Sequence, residues 1–312
     1  MRFAVETWAP EFGAASDGTG LEASEAVVDV AIEVLPADWK PVDPTRRGCL
    51  PYTSVLFVDG IQRIDARVWV VPESGPSLLG VCASWAAGAV RCDGTARVVV
   101  AEVRRGALCR GDDVDSIATR HGTYEARPLR GSGGDPVHEA LGRARGDLEA
   151  RVAIEAAASS PAELVVVDGP LGDRRHIPGA LGYIKAHQVA YLPPQQQSVV
   201  TALAPGQRTP LFRIGDDRYR YSWYARLPGP HAHPTAGVVR CELPGELPLE
   251  GAVTVADRTT VSLPRYATRP HQDPRAPQNL HPIAGLERDL RRRLGDPTLL
   301  ERALRRAAAA SS

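Results

Sequence analysis

Apolar positions recur along this chain with two periods, and the changes of period mark its elements. From Leu21 to Leu35, Ala26, Val27, Val30, Ala31 and Val34 return at helical spacing. That predicts a short amphipathic helix, broken by Pro36, Pro41 and Pro44. The segments 54–60 (SVLFVDG), 63–71, 77–92 and 95–103 are instead β-branched and apolar, bounded by Pro72, Pro76 and Asp93-Gly94. They predict three consecutive antiparallel strands, the first buried on both faces. Residues 104–135 are polar and glycine-rich and read as loop. A helix is predicted over 136–159, with Asp135 as N-cap, Pro136 at its first position, and a stripe of Val137, Leu141, Ala144, Leu148, Val152 and Ala156. A second apolar strand, ELVVVDGPL (163–171), is followed by GALGYIKAHQVAYL (179–192) and a loop-like PPQQQ. From about residue 210 the chain is strand-rich again (210–215, 218–227, 237–243), then a proline-rich link (264–282) leads to a helical stretch (283–310). The predicted class is α/β: a mixed sheet flanked by helices, with an elaborated C-terminal half.

Composition narrows the function classes. The 312 residues carry 37 basic and 37 acidic side chains, a net charge of zero, which excludes a wholly basic nucleic-acid coat and an acidic disordered tail. No apolar run approaches the roughly 20 residues of a membrane span. The opening MRFAVETWAPEF has no apolar signal core, so a cytoplasmic location is expected. Five cysteines without a CxxC pair predict neither disulfides nor a zinc site, only small apolar fillers in a reducing compartment. Lys40 and Lys185 are the only lysines, which singles both out for inspection.

The informative feature is a pair of strands ending in Asp-Gly, VLFVDG and LVVVDG. Strand carboxyl ends form the ligand edge of an α/β sheet. If the two strands are neighbours, Asp59 and Asp168 project from one edge, and two carboxylates that close are relieved most readily by a hard divalent cation. The alternative is that each Asp caps a turn before its glycine. The helix between them offers Glu139, Asp147, Glu149 and Glu155. Glu149 borders the apolar stripe at Leu148 and is the first choice to lean over the strand ends, with Glu155 second. Strand Asp, helix Glu, strand Asp is an order that can build a two-metal site for phosphodiester hydrolysis.

That ordered set, with the downstream GYIK, resembles the NurA family, nucleases of ribonuclease H-like fold that work with the HerA hexameric translocase in DNA end processing. The likeness runs from about residue 50 to the C-terminal helix and implies a nuclease domain over 49–312, preceded by an N-terminal helix and lead-in over 1–48. It implies that Asp59, Glu149 and Asp168 hold Mn²⁺ or Mg²⁺ and that Lys185 orients the scissile phosphate. The family's histidine on the C-terminal helix is absent here. Glu287 is the preferred fourth metal ligand, with Asp289 and His281 as alternatives. The resemblance further implies 5′-to-3′ exonuclease and single-strand endonuclease activity, a homodimer through which DNA threads, and docking on a HerA-type ATPase.

RYRYSWYARLPG (218–229) interleaves arginine and aromatic residues, a composition suited to single-stranded nucleic acid. Arg218, Arg220, Tyr221, Trp223 and Arg226 are its candidate DNA contacts, together with Arg208. An aromatic core strand is the competing reading. Two rival functions remain. One is a degenerate ribonuclease H-like partner protein that binds or regulates a translocase without cleaving DNA. The other is an acetate- and sugar-kinase-like ATPase, which would need duplicated domains and glycine-rich phosphate loops.

Overall fold

The computed structural model describes residues 8–12, 14, 22–71, 77–110, 115–129, 135–216, 219–230 and 233–310. Most of the lead-in before residue 21, the loop at 130–134 and Arg218 lie outside the described residues. The strands are β1 (Glu22–Ala23), β2 (Val28–Asp29), β3 (Val55–Val70), β4 (Leu78–Cys92), β5 (Ala96–Arg110), β6 (Ile117–Thr119), β7 (Gly122–Leu129), β8 (Leu164–Asp168), β9 (Ala180–Ile184), β10 (Val189–Ala190), β11 (Phe212–Ile214), β12 (Arg220–Arg226) and β13 (Val238–Pro244). The helices are α1 (Pro136–Ser159), α2 (Pro194–Ala202), α3 (Leu249–Ser262), α4 (His281–Leu294) and α5 (Pro297–Ala310). Eleven strands make a large mixed sheet in the order β2-β11-β12-β13-β9-β8-β3-β4-β5-β7-β6, and β1 pairs with β10 apart from it. By compactness the chain divides into two units, residues 1–57, 91–96 and 161–284, and residues 58–90, 97–160 and 285–312.

β3 is one 16-residue strand that takes in both the 54–60 and the 63–71 segments, so the three consecutive strands expected are β3, β4 and β5. Asp59-Gly60 does not turn the chain. The strand is buried up to Gly60 and then alternates partial and fuller exposure, with Asp65 again buried. Cys92 and Ala96 are joined by a turn with Gly94 at φ +99° and the Asp93 N–H on the Thr95 carbonyl. Hydrogen-bonded neighbours linked that tightly must run antiparallel, because a parallel pair needs a crossover of a dozen residues or more. The stretch 104–129, read as loop, is largely strand: β5 continues to Arg110, pairs parallel with β7, and β7 pairs antiparallel with β6. Helix α1 begins as its sequence dictates, with the Asp135 carboxylate accepting the His138 N–H at 3.1 Å and Pro136 in the first turn. The C-terminal helical stretch is two helices, broken where Gly295 takes φ +85° ahead of Asp296-Pro297. Leu286, Leu290 and Leu294 form one face of α4 and pack with Ala86 of β4. Two arginines finish that helix: Arg105 donates to the Leu294 carbonyl and Arg63 to the Gly295 carbonyl, each at 3.0 Å. Arg63 is held by the buried Asp65, which also accepts the hydroxyls of Ser84 and Tyr124.

In the first unit, the predicted helix over 21–35 does not form. Val28 and Asp29 become an edge strand against β11, and Val28, Val30 and Val34 pack on a core of Trp39, Leu192, Val200, Leu203, Phe212, Ile214, Tyr224 and Val238. The spacing of Val28, Val30 and Val34 is also that of a strand, and pairing with β11 decides between the two periods. Two helices escaped the pattern. The PPQQQ segment opens α2, with Pro194 in its first turn. The β-branched LEGAVTVADRTTVS forms α3, whose buried side carries Ala252, Ala256, Asp257 and Thr260. All five cysteines are free thiols, and four are buried. Burial pushes the Cys82 thiol up to about 12 and that of Cys92 to about 11, as expected of inert filler. Among the described residues, no helix is long and apolar enough to cross a membrane.

Arg208, an expected DNA contact, has no exposed surface. Its Nε donates to Asp257 at 2.6 Å, and its terminal nitrogens reach the two Glu33 oxygens at 2.8 and 2.9 Å. Burial raises the Glu33 pKa, but Arg208, the Leu211 N–H and Arg47 outweigh it and hold the carboxyl below its ordinary value. Arg208 therefore closes a charge network among residues 33, 208 and 257 and is unavailable to phosphate. Arg208→Met should destabilise the protein by about 3–5 kcal/mol, since it strands two buried carboxylates, and a urea unfolding curve measures it. His187, 8% exposed, lies against Tyr224 at 5.5 Å with Nε2 3.2 Å from the Val238 carbonyl. Burial is the main reason its pKa falls to about 4 from 6.5. The unfolded chain therefore binds this proton between those values while the folded chain does not. Stability should decline by on the order of 2–3 kcal/mol as pH falls from about 6.5 toward 4. His187→Gln should flatten that part of the stability-against-pH curve.

Candidate metal centre

Asp59 lies within the buried first part of β3 and is 6% exposed, its Oδ1 accepting the Gly60 N–H at 2.8 Å. The glycine after it serves packing rather than a turn. A Cβ placed on Gly60 would meet Glu149 Oε1 at 2.5 Å and Glu149 Cγ at 2.9 Å, so the helix acid rests against the bare backbone next to Asp59. Of the four acids offered by α1, Glu139, Asp147 and Glu155 are exposed and only Glu149 is buried. It follows Leu148 on the packed face, and Arg145, one turn earlier, sets its Nε 3.2 Å from Glu149 Oε1.

Glu287 follows Leu286, the first member of the α4 stripe, and is buried with Arg291 at 3.7 Å. Because the leucine face fixes the helix rotation, the next residue is held at the edge of that face. Asp289 is engaged by Arg292 and Arg293, and His281 is exposed at the helix start.

Asp168 is the last residue of β8, opposite Tyr183 of the parallel strand β9. Here the Asp-Gly pair does end a strand, with Gly169 at φ +90°. Lys185, just past β9, places Nζ 2.6 Å from Asp168 Oδ2 and 3.0 Å from Asn279 Oδ1. Asp168 Oδ1 is buried and takes no hydrogen bond.

One carboxylate oxygen from each of Asp59, Asp168 and Glu287 lies within 4.8 Å of the others. Ligands facing each other across a cation with oxygen donors at about 2.1–2.6 Å stand about 4–5 Å apart, so this spacing fits a single divalent ion. The donors are all carboxylate oxygens, a set suited to Mg²⁺ or Mn²⁺ rather than to zinc or copper. The buried, unsatisfied oxygen of Asp168 fits the same reading. Two members of this neighbourhood, Asn279 and Arg145, were not foreseen. Asn279 sits in a proline-rich link with no periodicity, and Arg145 is one of three arginines on α1.

Among the described residues, those expected to contact DNA do not form a surface. Trp223 has no exposed area, and Tyr221 is 6% exposed with its hydroxyl on the Leu247 carbonyl. Arg226 is buried and donates to the carbonyls of Thr201 and Pro234. Arg220 pairs with Glu242 at 2.8 Å, and Arg240 binds the same acid. Strand β12 is buried on both faces, with β11 and β13 as its neighbours, so its alternation marks two interior sides and not an aromatic platform.

No protein-family model matches this chain, and no curated protein matches it. Solved structures with a weak likeness to this chain include two endonucleases V. Human endonuclease V matches with a TM-score of 0.34 and 14% identity over 78% of this chain and 84% of its own. The Ciona intestinalis endonuclease V, solved with a 24mer DNA containing an inosine followed by a ribo-adenosine, matches with a TM-score of 0.29 and 10% identity over 80% and 92%. TM-scores this low decide nothing about mechanism.

Three carboxylates this close should destabilise the metal-free protein, since like charges 4.8 Å apart repel by roughly 3 kcal/mol at an effective dielectric of 20. Asp59→Asn should therefore raise metal-free stability by about 1 kcal/mol or more once the nearby cations are counted. Saturating Mn²⁺ or Mg²⁺ should lift the wild-type Tm, by the equivalent of about 2.7 kcal/mol at a hundred times Kd, and leave that of Asp59→Asn nearly unmoved. Differential scanning fluorimetry with and without chelator reads both effects.

Proposed function

We propose that this protein is a metal-dependent deoxyribonuclease with a ribonuclease H-like core, of the NurA type, its nuclease domain spanning residues 49–312. The observation that carries the reading is the proximity of the Asp59, Asp168 and Glu287 carboxylates, with a lysine ammonium on one of them. The chain order supports it: three long strands, then α1 with its buried Glu149, then β8 beside the first of the three. Mn²⁺ or Mg²⁺ bound by Asp59, Asp168 and Glu287, with Glu149 alongside, would supply Lewis-acid activation of water and charge neutralisation at the phosphate. Glu149, held beside Asp59 by the absence of a side chain at Gly60, adds a further buried carboxylate able to accept a proton from the attacking water. Lys185 places a positive charge next to Asp168, where a phosphate oxygen would be drawn. The 5′-to-3′ exonuclease and single-strand endonuclease activities, the Mn²⁺ preference, the homodimer and the HerA-type hexameric ATPase partner belong to the same proposal and rest on the resemblance in sequence order. DNA contacts fall to arginines other than Arg208 and Arg226, which are committed to the interior.

Incubating the full chain with end-labelled single-stranded DNA should give cleavage with Mn²⁺ and none with chelator. Asp59→Ala should lower the rate by at least about 100-fold while its folded state persists. Absence of cleavage by the wild type, alongside a retained metal-dependent rise in Tm, would point instead to the non-cutting partner protein.

A further inference from the structure

Lys185 is held by more than the acid beside it. Its ammonium donates to Asp168 Oδ2 and to Asn279 Oδ1, and the other end of that amide donates from Nδ2 to Asp273 Oδ2 at 2.9 Å. Asn279 has no exposed surface and Asp273 is 7% exposed. An ammonium only donates and an ionised carboxylate only accepts. An amide between them serves both in one orientation alone, oxygen toward the lysine and nitrogen toward Asp273. The amide is fixed from behind as well: the Asn279 N–H donates to the Arg275 carbonyl at 3.0 Å, and its own carbonyl accepts the Thr268 hydroxyl at 2.6 Å. Asp273 is steadied by the Arg275 N–H at 2.8 Å. A lysine stem is otherwise among the most mobile of side chains.

We propose that Asn279 and Asp273 are positioning residues for Lys185. Asn279, oriented by Asp273, holds one of its three N–H groups and Asp168 holds a second, so that the third is presented to a phosphate oxygen of bound nucleic acid. The identity of that oxygen rests on the nuclease reading above, whereas the pinning of the ammonium does not.

Having only two lysines makes the test direct, because exposed Lys40 serves as an internal reference. The folded full chain is treated with limiting acetic anhydride, and the ratio of Lys185 to Lys40 acetylation is read by peptide mass. In Asn279→Leu the ratio should rise about tenfold, the scale of one lost charge-assisted hydrogen bond. Asp273→Ala should also raise it, because the amide then loses the acceptor that orients it. Asn279→Asp keeps an acceptor toward the ammonium and adds a negative charge beside it, so it should instead lower the ratio. In DNA cleavage, Asn279→Leu should lower kcat by about 10–100-fold and leave KM nearly unchanged. If Asn279→Leu does not fold, Asp273→Ala and Asn279→Asp carry the test. A ratio unchanged in the folded variants, or one raised by Asn279→Asp, overturns the proposal. A raised ratio with unaltered kcat overturns the catalytic half of it. A wild type that cuts nothing overturns the nuclease reading, and the acetylation ratio still decides the pinning.

Discussion

Carboxylates crowded into a poorly hydrated place repel each other, and a fold that keeps them there must offset that repulsion with positive charge. Asp59, Asp168 and Glu287 meet this condition. The protein supplies one lysine at Asp168 and arginines at the margins, Arg291 near Glu287 and Arg145 near Glu149. An ordinary interior would dispose of three such acids by replacing them with apolar residues of similar size, which often stabilises a fold. Their retention, on a strand start, a strand end and a helix face, gives the scaffold its chemical meaning.

Two ion clusters of the first unit show how differently charge is treated where it is structural. Arg208 is enclosed by Glu33 and Asp257, and Glu242 by Arg220, Arg240 and the Leu171 N–H. Burial raises the Glu242 pKa, and its two arginines more than reverse the effect. In both clusters each acid meets a guanidinium directly. The candidate metal centre lacks that closure at Asp168 Oδ1, and this is where it differs from the scaffold ion pairs.

Much of this was legible in the sequence. Helix α1 announced its start through Asp135 and Pro136 and its buried side through Leu141, Leu148 and Val152, which in turn placed Glu149. The apolar runs before Asp59 and Asp168 located β3 and β8. Local sequence misleads where one signal admits two structures. The valines of 26–34 fit a helix and an edge strand alike, and only pairing with β11 decides. The β-branched run of 249–262 favours a strand by propensity yet folds as α3. The arginine–tyrosine alternation of 218–226 marks a strand without saying whether either face meets solvent, and both are filled. Asn279 gave no signal, since its importance lies in bridging Asp273, six residues before it, to Lys185, 94 residues away.

The backbone at Gly60 has a consequence for how such a centre can change. The position bears no functional group, yet the emptiness there is what admits the Glu149 carboxylate. One added methyl would occupy that space and push the helix acid aside, leaving every acid of the centre still encoded. A single change at a residue without a side chain can therefore disturb the candidate centre while every acid stays in place, and inventories of acids alone would count such a variant as intact.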